Sequence, residues 1–172
     1  AFGDYKLPVY IYLTVIPIAL FGLNAFAVRI VSILAGTLAI PLIYILTNKL
    51  FSPSKVEGDQ GGVLSKGLLA AFLLAISPWH FFISRPALEA NLSLTLILAG
   101  AVFLLKKNWL VSAICLSLAL HTYNTARVFV PIILIAFFMI YRPKIKLKEI
   151  LLPALIFAGA LLLVVYQVNT GV

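Results

Sequence analysis

The chain alternates between long apolar runs and short polar segments along its whole length. Most of the runs approach or exceed the roughly 18–20 residues that a helix needs to cross about 30 Å of hydrocarbon. The pattern predicts an all-α, polytopic transmembrane helical bundle, with residues 1–172 forming one domain. Six spans are expected, at residues 25–48, 65–83, 89–105, 109–123, 126–141 and 149–168.

The N-terminal run over residues 8–22 differs from the others. It is short for a span, contains two prolines and ends at Gly22. Tyrosines cluster at its start, as aromatic side chains do at a membrane–water boundary. These features favour a juxtamembrane helix near the outer interface. The alternative is that residues 8–48 form two full spans.

Composition supports a membrane protein. Hydrophobic residues make up 63% of the chain and charged residues 10%, and the mean hydropathy is +1.15. A soluble domain of this length cannot enclose so much apolar surface in a polar shell. The net charge of +8 does not indicate nucleic acid, because the basic residues lie mostly in short loops and form no single stripe. The single cysteine, Cys115, excludes an internal disulfide bond.

The charged residues are sorted between the two faces of this bundle. Basic residues fill three polar loops, which the positive-inside rule assigns to the cytoplasm: Lys49, Lys55 and Lys66; Lys106 and Lys107; Arg142, Lys144, Lys146 and Lys148. With these loops in the cytoplasm, successive spans cross the membrane in alternating directions without contradiction. The outer face receives a chemically mixed set: Asp4, Lys6, Arg29, Arg85, Glu89, His121 and Arg127.

Arg85 and Glu89 are four residues apart, at the start of a predicted helix. An ionisable group at membrane depth costs roughly 2.5–3.5 kcal/mol on insertion scales, so such groups usually face a cavity and have partners. If both residues are helical, they share one face, with Pro86 in the first turn. Glu89 would be favoured as an anion by the helix dipole. A structural cap and a functional site both fit this spacing.

Two further outer positions carry imidazoles. His80 follows Trp79 at the outer end of its helix, where Pro78 introduces a bend, and fits either an interfacial anchor or a site residue. The segment HTYNTARVFVP (121–131) interrupts an apolar stretch with His121, Tyr123, Asn124 and Arg127. An arginine at a helix start opposes the dipole, so an anionic ligand such as a phosphate explains it better.

Together these groups suit one kind of chemistry. Cations beside the bilayer can hold a lipid phosphate or pyrophosphate, and a carboxylate can bind a divalent metal or take a proton from a hydroxyl. The outer face therefore favours group transfer from a lipid phosphate carrier.

Four segments of the chain resemble bacterial GT-C glycosyltransferases, the membrane enzymes similar to protein O-mannosyltransferases and aminoarabinose transferases (glycosyltransferase family 39-like). The segments are GDYKLPVYIYL, FGLNAFAVRIVSILAG, SPWHFFISRPALEANLSL and HTYNTARVFVP, in matching order and spacing. The resemblance implies a GT-C-like fold, a polyprenyl-phosphate sugar donor and a lipid, glycan or protein acceptor. It also implies inverting transfer on the outer face of a bacterial plasma membrane, often with a divalent metal such as Mg²⁺ or Mn²⁺.

The resemblance also implies roles for individual residues. Lys6 would contact the donor phosphate, and Arg85 and Arg127 would line the same pocket. Glu89 would be the second acidic residue, near the phosphate or the metal. Arg29 would only orient its loop, and the remaining candidate members of the pocket are Asp4, His80, His121 and Tyr123.

The chain also departs from the family pattern. The main catalytic base is expected in an acidic motif upstream of Ala1, together with the first transmembrane helix. Later helices and any C-terminal domain are expected beyond Val172. The chain is therefore expected to hold part of a donor site and to be inactive alone.

The rival hypothesis is a transporter or flippase of anionic lipids or solutes, with Arg85, Glu89 and Arg127 along its path. A structural subunit is a third alternative, which predicts no convergent outer pocket. Transporters usually place binding groups near the midplane and show internal repeats. Here the polar groups gather at one surface and no repeat is evident, which favours the enzyme.

Overall fold

The computed structural model describes residues 8–51, 66–141 and 147–170, and every regular element in these ranges is an α-helix. The all-α fold class is confirmed. The helices are α1 (Pro8–Phe21), α2 (Ala25–Phe51), α3 (Lys66–Ile76), α4 (Pro78–Ser84), α5 (Glu89–Leu105), α6 (Trp109–Leu120), α7 (Ala126–Tyr141) and α8 (Leu147–Thr170).

The helix boundaries follow the apolar runs closely. The ranges 89–105 and 126–141 are helices as predicted, and the juxtamembrane segment ends at Gly22, whose φ of +75° is readily adopted by glycine. The predicted helix 109–123 is shorter, because His121 already caps α6 in a turn. Whether residues 8–22 lie along the interface stays a prediction.

The predicted span 65–83 consists of two helices, with a break beside Pro78, where the sequence predicts a bend. α3 and α4 meet at a bend of 61°. Ser77 has an extended backbone (φ −62°, ψ 119°), and its side chain accepts a hydrogen bond from the His80 N–H at 3.5 Å. Pro78 causes the break, because proline has no N–H for the helical ladder and disfavours helical geometry in the residue before it.

Among the described residues, length and hydropathy support fewer spans than six. α2 and residues Lys148–Gln167 of α8 are long and apolar enough to cross a membrane, and the bent pair α3–α4 is a third candidate. The other four helices are apolar but have 10–17 residues. The 12 residues of α6 extend only about 18 Å. The count of six spans stays a prediction.

Four of the described helices pack in a row. α2 packs against α5, α5 against α6, and α6 against α8, while α1, α3 and α4 contact α2 and α7 contacts α6. The largest apolar core lies between α6, α7 and α8 and includes the fully buried Leu116, Leu120 and Val130.

Side-chain hydrogen bonds fix the relative direction of α2 and α5. Asn91 Nδ2 donates to the Ser32 carbonyl at 2.6 Å, and one turn later Thr95 Oγ1 donates to the Ala35 carbonyl at 2.8 Å. Contacts therefore advance together along both helices, so α2 and α5 run parallel and their first residues lie at the same end of the bundle.

The contacts of α6, α7 and α8 show which of their ends lie at this same end of the bundle. α6 returns antiparallel to α5 after a short turn, and Arg127 at the start of α7 bonds to Gln167 near the end of α8. The starts of α2, α5 and α7 and the ends of α6 and α8 therefore share one end. We call it the arginine end, because it carries Arg29, Arg85 and Arg127. The opposite, lysine end carries Lys49, Lys66, Lys106, Lys107 and Lys148.

Candidate functional site

Glu89 opens α5 at the arginine end. It is the acidic residue in the first turn of this helix, where the dipole favours an anion, as predicted. Leu88, the preceding residue, provides no side-chain cap. The Glu89 side chain is half-buried and has interactions within the protein.

Tyr10 of α1 lies beside Glu89. Its hydroxyl donates to the Val28 carbonyl of α2 at 3.2 Å. Burial, and then the negative charge of Glu89, raise the pKa of Tyr10 to about 12. The phenol therefore stays protonated through the physiological range and presents a neutral hydroxyl beside the carboxylate.

Arg85 does not share a helical face with Glu89, so that prediction is wrong. It is the C-cap of α4, and its exposed guanidinium lies 5.1 Å from the centre of the Phe81 ring, in cation–π contact. Pro86 lies in the link before α5 and not in its first turn. The reason is that Pro86 has no N–H to continue α4, so the chain leaves the helix there.

Arg29 borders an open cleft at the same end. The cleft has a volume of about 450 Å³ and lies between the start of α2 and the link before α5. Asn24 organises this corner, since its Oδ1 accepts a hydrogen bond from the Ala27 N–H at 2.8 Å. Arg29 itself is exposed, so its guanidinium is accessible to an anion in the cleft.

His80 is not at the surface of this end. It is 8% exposed, and its Nε2 lies 3.1 Å from the Gly36 carbonyl of α2. Gly36 is two helical turns further along α2 than Arg29, about 10 Å at the helical rise. The interfacial-anchor interpretation is wrong for His80, because the bend at Ser77 turns this imidazole toward α2, whereas Trp79 beside it is exposed.

His121 and Arg127 form a second group at the arginine end. Arg127 Nη2 donates to Gln167 Oε1 of α8 at 3.0 Å. Burial lowers the pKa of His121, and the positive charge of Arg127 lowers it further. A backbone hydrogen bond with Ala160 partly offsets this lowering. Within the described ranges, His121 Nε2 and Arg127 Nε are buried without a hydrogen-bond partner. An unpaired buried polar atom costs about 1–3 kcal/mol, so each of these two nitrogens keeps unused hydrogen-bonding capacity in the described structure.

The predicted site residues therefore divide into three sets. Glu89, Arg29 and Arg85 lie around the starts of α2 and α5, and His121, Arg127 and the exposed Tyr123 lie around the turn between α6 and α7. Both sets are at the arginine end, on adjacent helices. His80 lies deeper in the bundle, and Asp4 and Lys6 fall outside the described residues.

Sequence reasoning missed two residues of this site. From the sequence, Tyr10 belongs only to the cluster of interfacial tyrosines, and Gln167 is not among the predicted site residues. Gln167 has a signal in the sequence, because it is the first polar amide side chain after the apolar run LLLVVY of α8. Tyr10 had none, since only folding brings it beside Glu89.

The described residues do not by themselves fit a metal ion. No group of three His, Cys, Asp or Glu side chains lies close enough to hold one in the part of the chain that the structure describes. Glu89 is the predicted ligand, and Asp4 is outside the described ranges. We therefore derive no chemical step through a metal.

Comparison with known proteins decides the family. The model of the dolichyl-phosphate-mannose-protein mannosyltransferase family matches residues 6–168, nearly the whole chain. The chain belongs to this family. It is a membrane glycosyltransferase chain of the GT-C type, which sets aside the transporter hypothesis, and its helical fold agrees. No curated protein and no solved structure matches the chain significantly.

Proposed function

We propose that the arginine end binds a polyprenyl-phosphate sugar at the outer face of a bacterial plasma membrane, where the sugar passes to a lipid, glycan or protein acceptor. The observation that carries this proposal is the half-buried Arg127, whose Nε has no partner, at the same end as Arg29, Arg85 and Glu89. A guanidinium in such a place suits a phosphate, because its donors match the phosphate oxygens.

The proposed transfer needs few groups. The acceptor hydroxyl oxygen attacks the anomeric carbon, the bond from that carbon to the phosphate oxygen breaks, and polyprenyl phosphate leaves. The hydroxyl proton goes to a carboxylate base. Arg127 and Arg85, with Lys6, stabilise the negative charge that develops on the leaving phosphate. Glu89 orients the sugar or the acceptor as the second acidic residue of the site.

His121 suits a supporting role in this site. Since its Nε2 lacks a partner, the bond with Ala160 falls on Nδ1, which then carries the proton of the neutral ring. The lone pair of Nε2 is thereby free to accept a hydrogen bond from a sugar hydroxyl. The proposal includes a divalent metal at Glu89 only if the other ligands of that metal lie outside the described residues.

The test is sugar transfer from labelled polyprenyl-phosphate sugar by the full-length protein. Glu89→Gln, Arg127→Gln and Lys6→Ala should each lower kcat/KM by about 10²-fold or more, the scale at which positioned charges act. Lys107→Gln, at the lysine end, is the matched control and should retain activity. Unchanged turnover in all three site variants would contradict the proposed site.

A further inference from the structure

An apolar cavity opens between α6, α7 and α8 toward the lysine end. Its volume is about 230 Å³, larger than the roughly 150 Å³ of an engineered apolar cavity that binds benzene. Trp109, Phe138 and Ile150 line the part nearest the lysine end, and Leu116 and Leu161 line the inner part. The cavity therefore has room for several methylene groups.

The space between these three helices is filled at the arginine end. Leu120 of α6, Val130 of α7 and Val164 of α8 are buried there in one core. Arg127 of α7 also bonds to Gln167 of α8 at 3.0 Å. The helices therefore meet at the arginine end and leave the cavity between them toward the lysine end.

The walls of the cavity are almost entirely hydrocarbon. The hydroxyl of Ser112 is occupied, because it donates to the Gly100 carbonyl at 2.9 Å. Trp109 is the other lining residue with a polar side-chain atom, and its ring stacks on that of Phe138 with 6.4 Å between the ring centres. Such walls favour a hydrocarbon occupant, because water there gains few hydrogen bonds.

The cavity extends through about one leaflet of a bilayer. From Ile150 to Leu161 it follows α8 for about 16 Å at the helical rise, and half of the roughly 30 Å hydrocarbon core is about 15 Å. Both residues lie within Lys148–Gln167, which is long and apolar enough to cross a membrane. Ala154 and Ala158 line the cavity and are exposed, so the cavity is open to the surroundings of the bundle. One acyl chain from the leaflet at the lysine end therefore matches its length.

Lysines surround the mouth of the cavity. Lys106 and Lys107 lie in the turn before α6, Lys148 lies in the first turn of α8, and all three are exposed. Backbone hydrogen bonds from Lys107 and Asn108 to the end of α5, both 3.0 Å long, fix the turn. Glu149 is the one acidic residue at this end in the described ranges, so three positive charges stand against one negative charge. Lysines at a bilayer surface attract acidic lipid headgroups.

We propose that this cavity binds one acyl chain of an acidic phospholipid from the leaflet at the lysine end, with the lipid phosphate beside Lys106, Lys107 and Lys148. The site is separate from the arginine end and does not rest on the proposed function. Its positive mouth selects an acidic headgroup over a zwitterionic one, and its depth suits a phospholipid chain. The bound lipid fills the space between α7 and α8 and thereby stabilises their packing on α6.

Native mass spectrometry of the full-length protein in detergent tests the charged mouth. The probes are phosphatidylglycerol and phosphatidylcholine with the same acyl chains. Phosphatidylglycerol should bind with a Kd about tenfold or more below that of phosphatidylcholine, and Lys106→Gln combined with Lys148→Gln should remove this difference. Lys49→Gln combined with Lys66→Gln is the matched control and should keep it, because both lysines are exposed at the same end but outside the cavity.

Filling the cavity tests the acyl-chain part of the proposal. Ala154→Phe should raise the Kd for phosphatidylglycerol by about tenfold, since it excludes a few methylene groups from an apolar site. Ala158→Phe is a second cavity variant should Ala154→Phe lose its fold, which thermal unfolding reveals. Ala75→Phe is the matched control, because Ala75 of α3 is exposed and lies outside the cavity.

Three results would overturn the proposal. The first is equal binding of the two lipids by the wild type, or equal loss in the two lysine pairs, which would mean general attraction of acidic lipid to the lysine end. The second is unchanged phosphatidylglycerol binding in the folded cavity variants. The third is a wild type that binds neither lipid, which would mean that another segment of protein fills the cavity.

Discussion

At the scale of single residues, the arginine end combines buried polar atoms with incomplete hydrogen bonding. Arg127 and His121 each keep one buried nitrogen without a partner in the described structure, while Arg127 Nη2 and the other ring nitrogen of His121 bond to α8. Glu89 lies beside the neutral phenol of Tyr10. These side chains are held in place by packing and yet retain capacity for a ligand, which is what preorganised sites require.

The lowered pKa of His121 predicts a pH dependence of stability. The folded protein favours the neutral imidazole more than the unfolded chain does, so this contribution to stability is complete above the ordinary value of 6.5. It is lost as the pH falls below that value. Thermal unfolding of the full-length protein between about pH 5 and 8 should show the loss in the wild type, and His121→Asn should reduce it. An identical pH profile in the variant would contradict the assignment.

At the scale of helices, the contacts behind the site fix α5 on α2. Asn91 is 1% exposed and bonds to Ser32, and Thr95 bonds to Ala35 in the next turn. Glu89 is two residues before Asn91, so the register of α5 on α2 sets where the carboxylate stands relative to Arg29. Polar contacts of this kind are typical of helix pairs in membranes, where lipid gives no hydrophobic drive for association.

Removing the Thr95 hydroxyl tests this register. Thr95→Val keeps the shape and deletes the bond to α2, which should lower the free energy of unfolding by about 0.6 kcal/mol and at most about 1.7 kcal/mol. Thr37→Val is the control, because the exposed Thr37 bonds only to the Ile33 carbonyl of its own helix. Denaturant unfolding in detergent measures both. Equal losses of unfolding free energy in the two variants would mean that the hydrogen bond from Thr95 to α2 contributes nothing to stability.

The close approach of α4 and α5 to α2 depends on a glycine. A Cβ at Gly36 would collide with Ser84 Oγ and lie 2.9 Å from Ser84 Cβ and 3.0 Å from Asn91 Nδ2. Gly36→Ala should therefore destabilise the protein by about 1–3 kcal/mol. Gly159→Ala meets nothing within 4 Å, so it should be neutral or slightly stabilising. A neutral Gly36→Ala in the same melting assay would contradict this packing.

At the scale of the whole molecule, the two ends of the bundle carry different basic residues. The described lysines at helix ends lie opposite Arg29, Arg85 and Arg127, as the loop pattern of the sequence predicted. If the lysine end is cytoplasmic, the candidate site faces outward.

Cysteine labelling tests this orientation. With Cys115 replaced by serine, Asn124→Cys should react with a membrane-impermeant maleimide in intact cells, because Asn124 is exposed at the arginine end. Lys107→Cys should react only after permeabilisation. The reverse pattern would place the site in the cytoplasm.

The sequence predicted the helical class and most helix boundaries, because apolar runs and glycine or proline breaks are local signals. It also predicted which charges share an end. It did not predict that His80 is buried against Gly36, or the partners of Glu89 and Arg127. Those depend on contacts between residues far apart in the chain, such as His80 with Gly36 and Arg127 with Gln167, 44 and 40 positions apart, which no local pattern specifies.

The central claim is that a lipid phosphate binds at the arginine end of this bundle. Photolabelling of the full-length protein with a polyprenyl phosphate that carries a diazirine beside the phosphate tests it directly, with the adducts mapped by mass spectrometry. The account predicts adducts near Tyr10, Arg29, Glu89 and Arg127, reduced by excess unlabelled lipid. Competable adducts concentrated at the lysine end, around Lys49, Lys66 and Lys106, would contradict it.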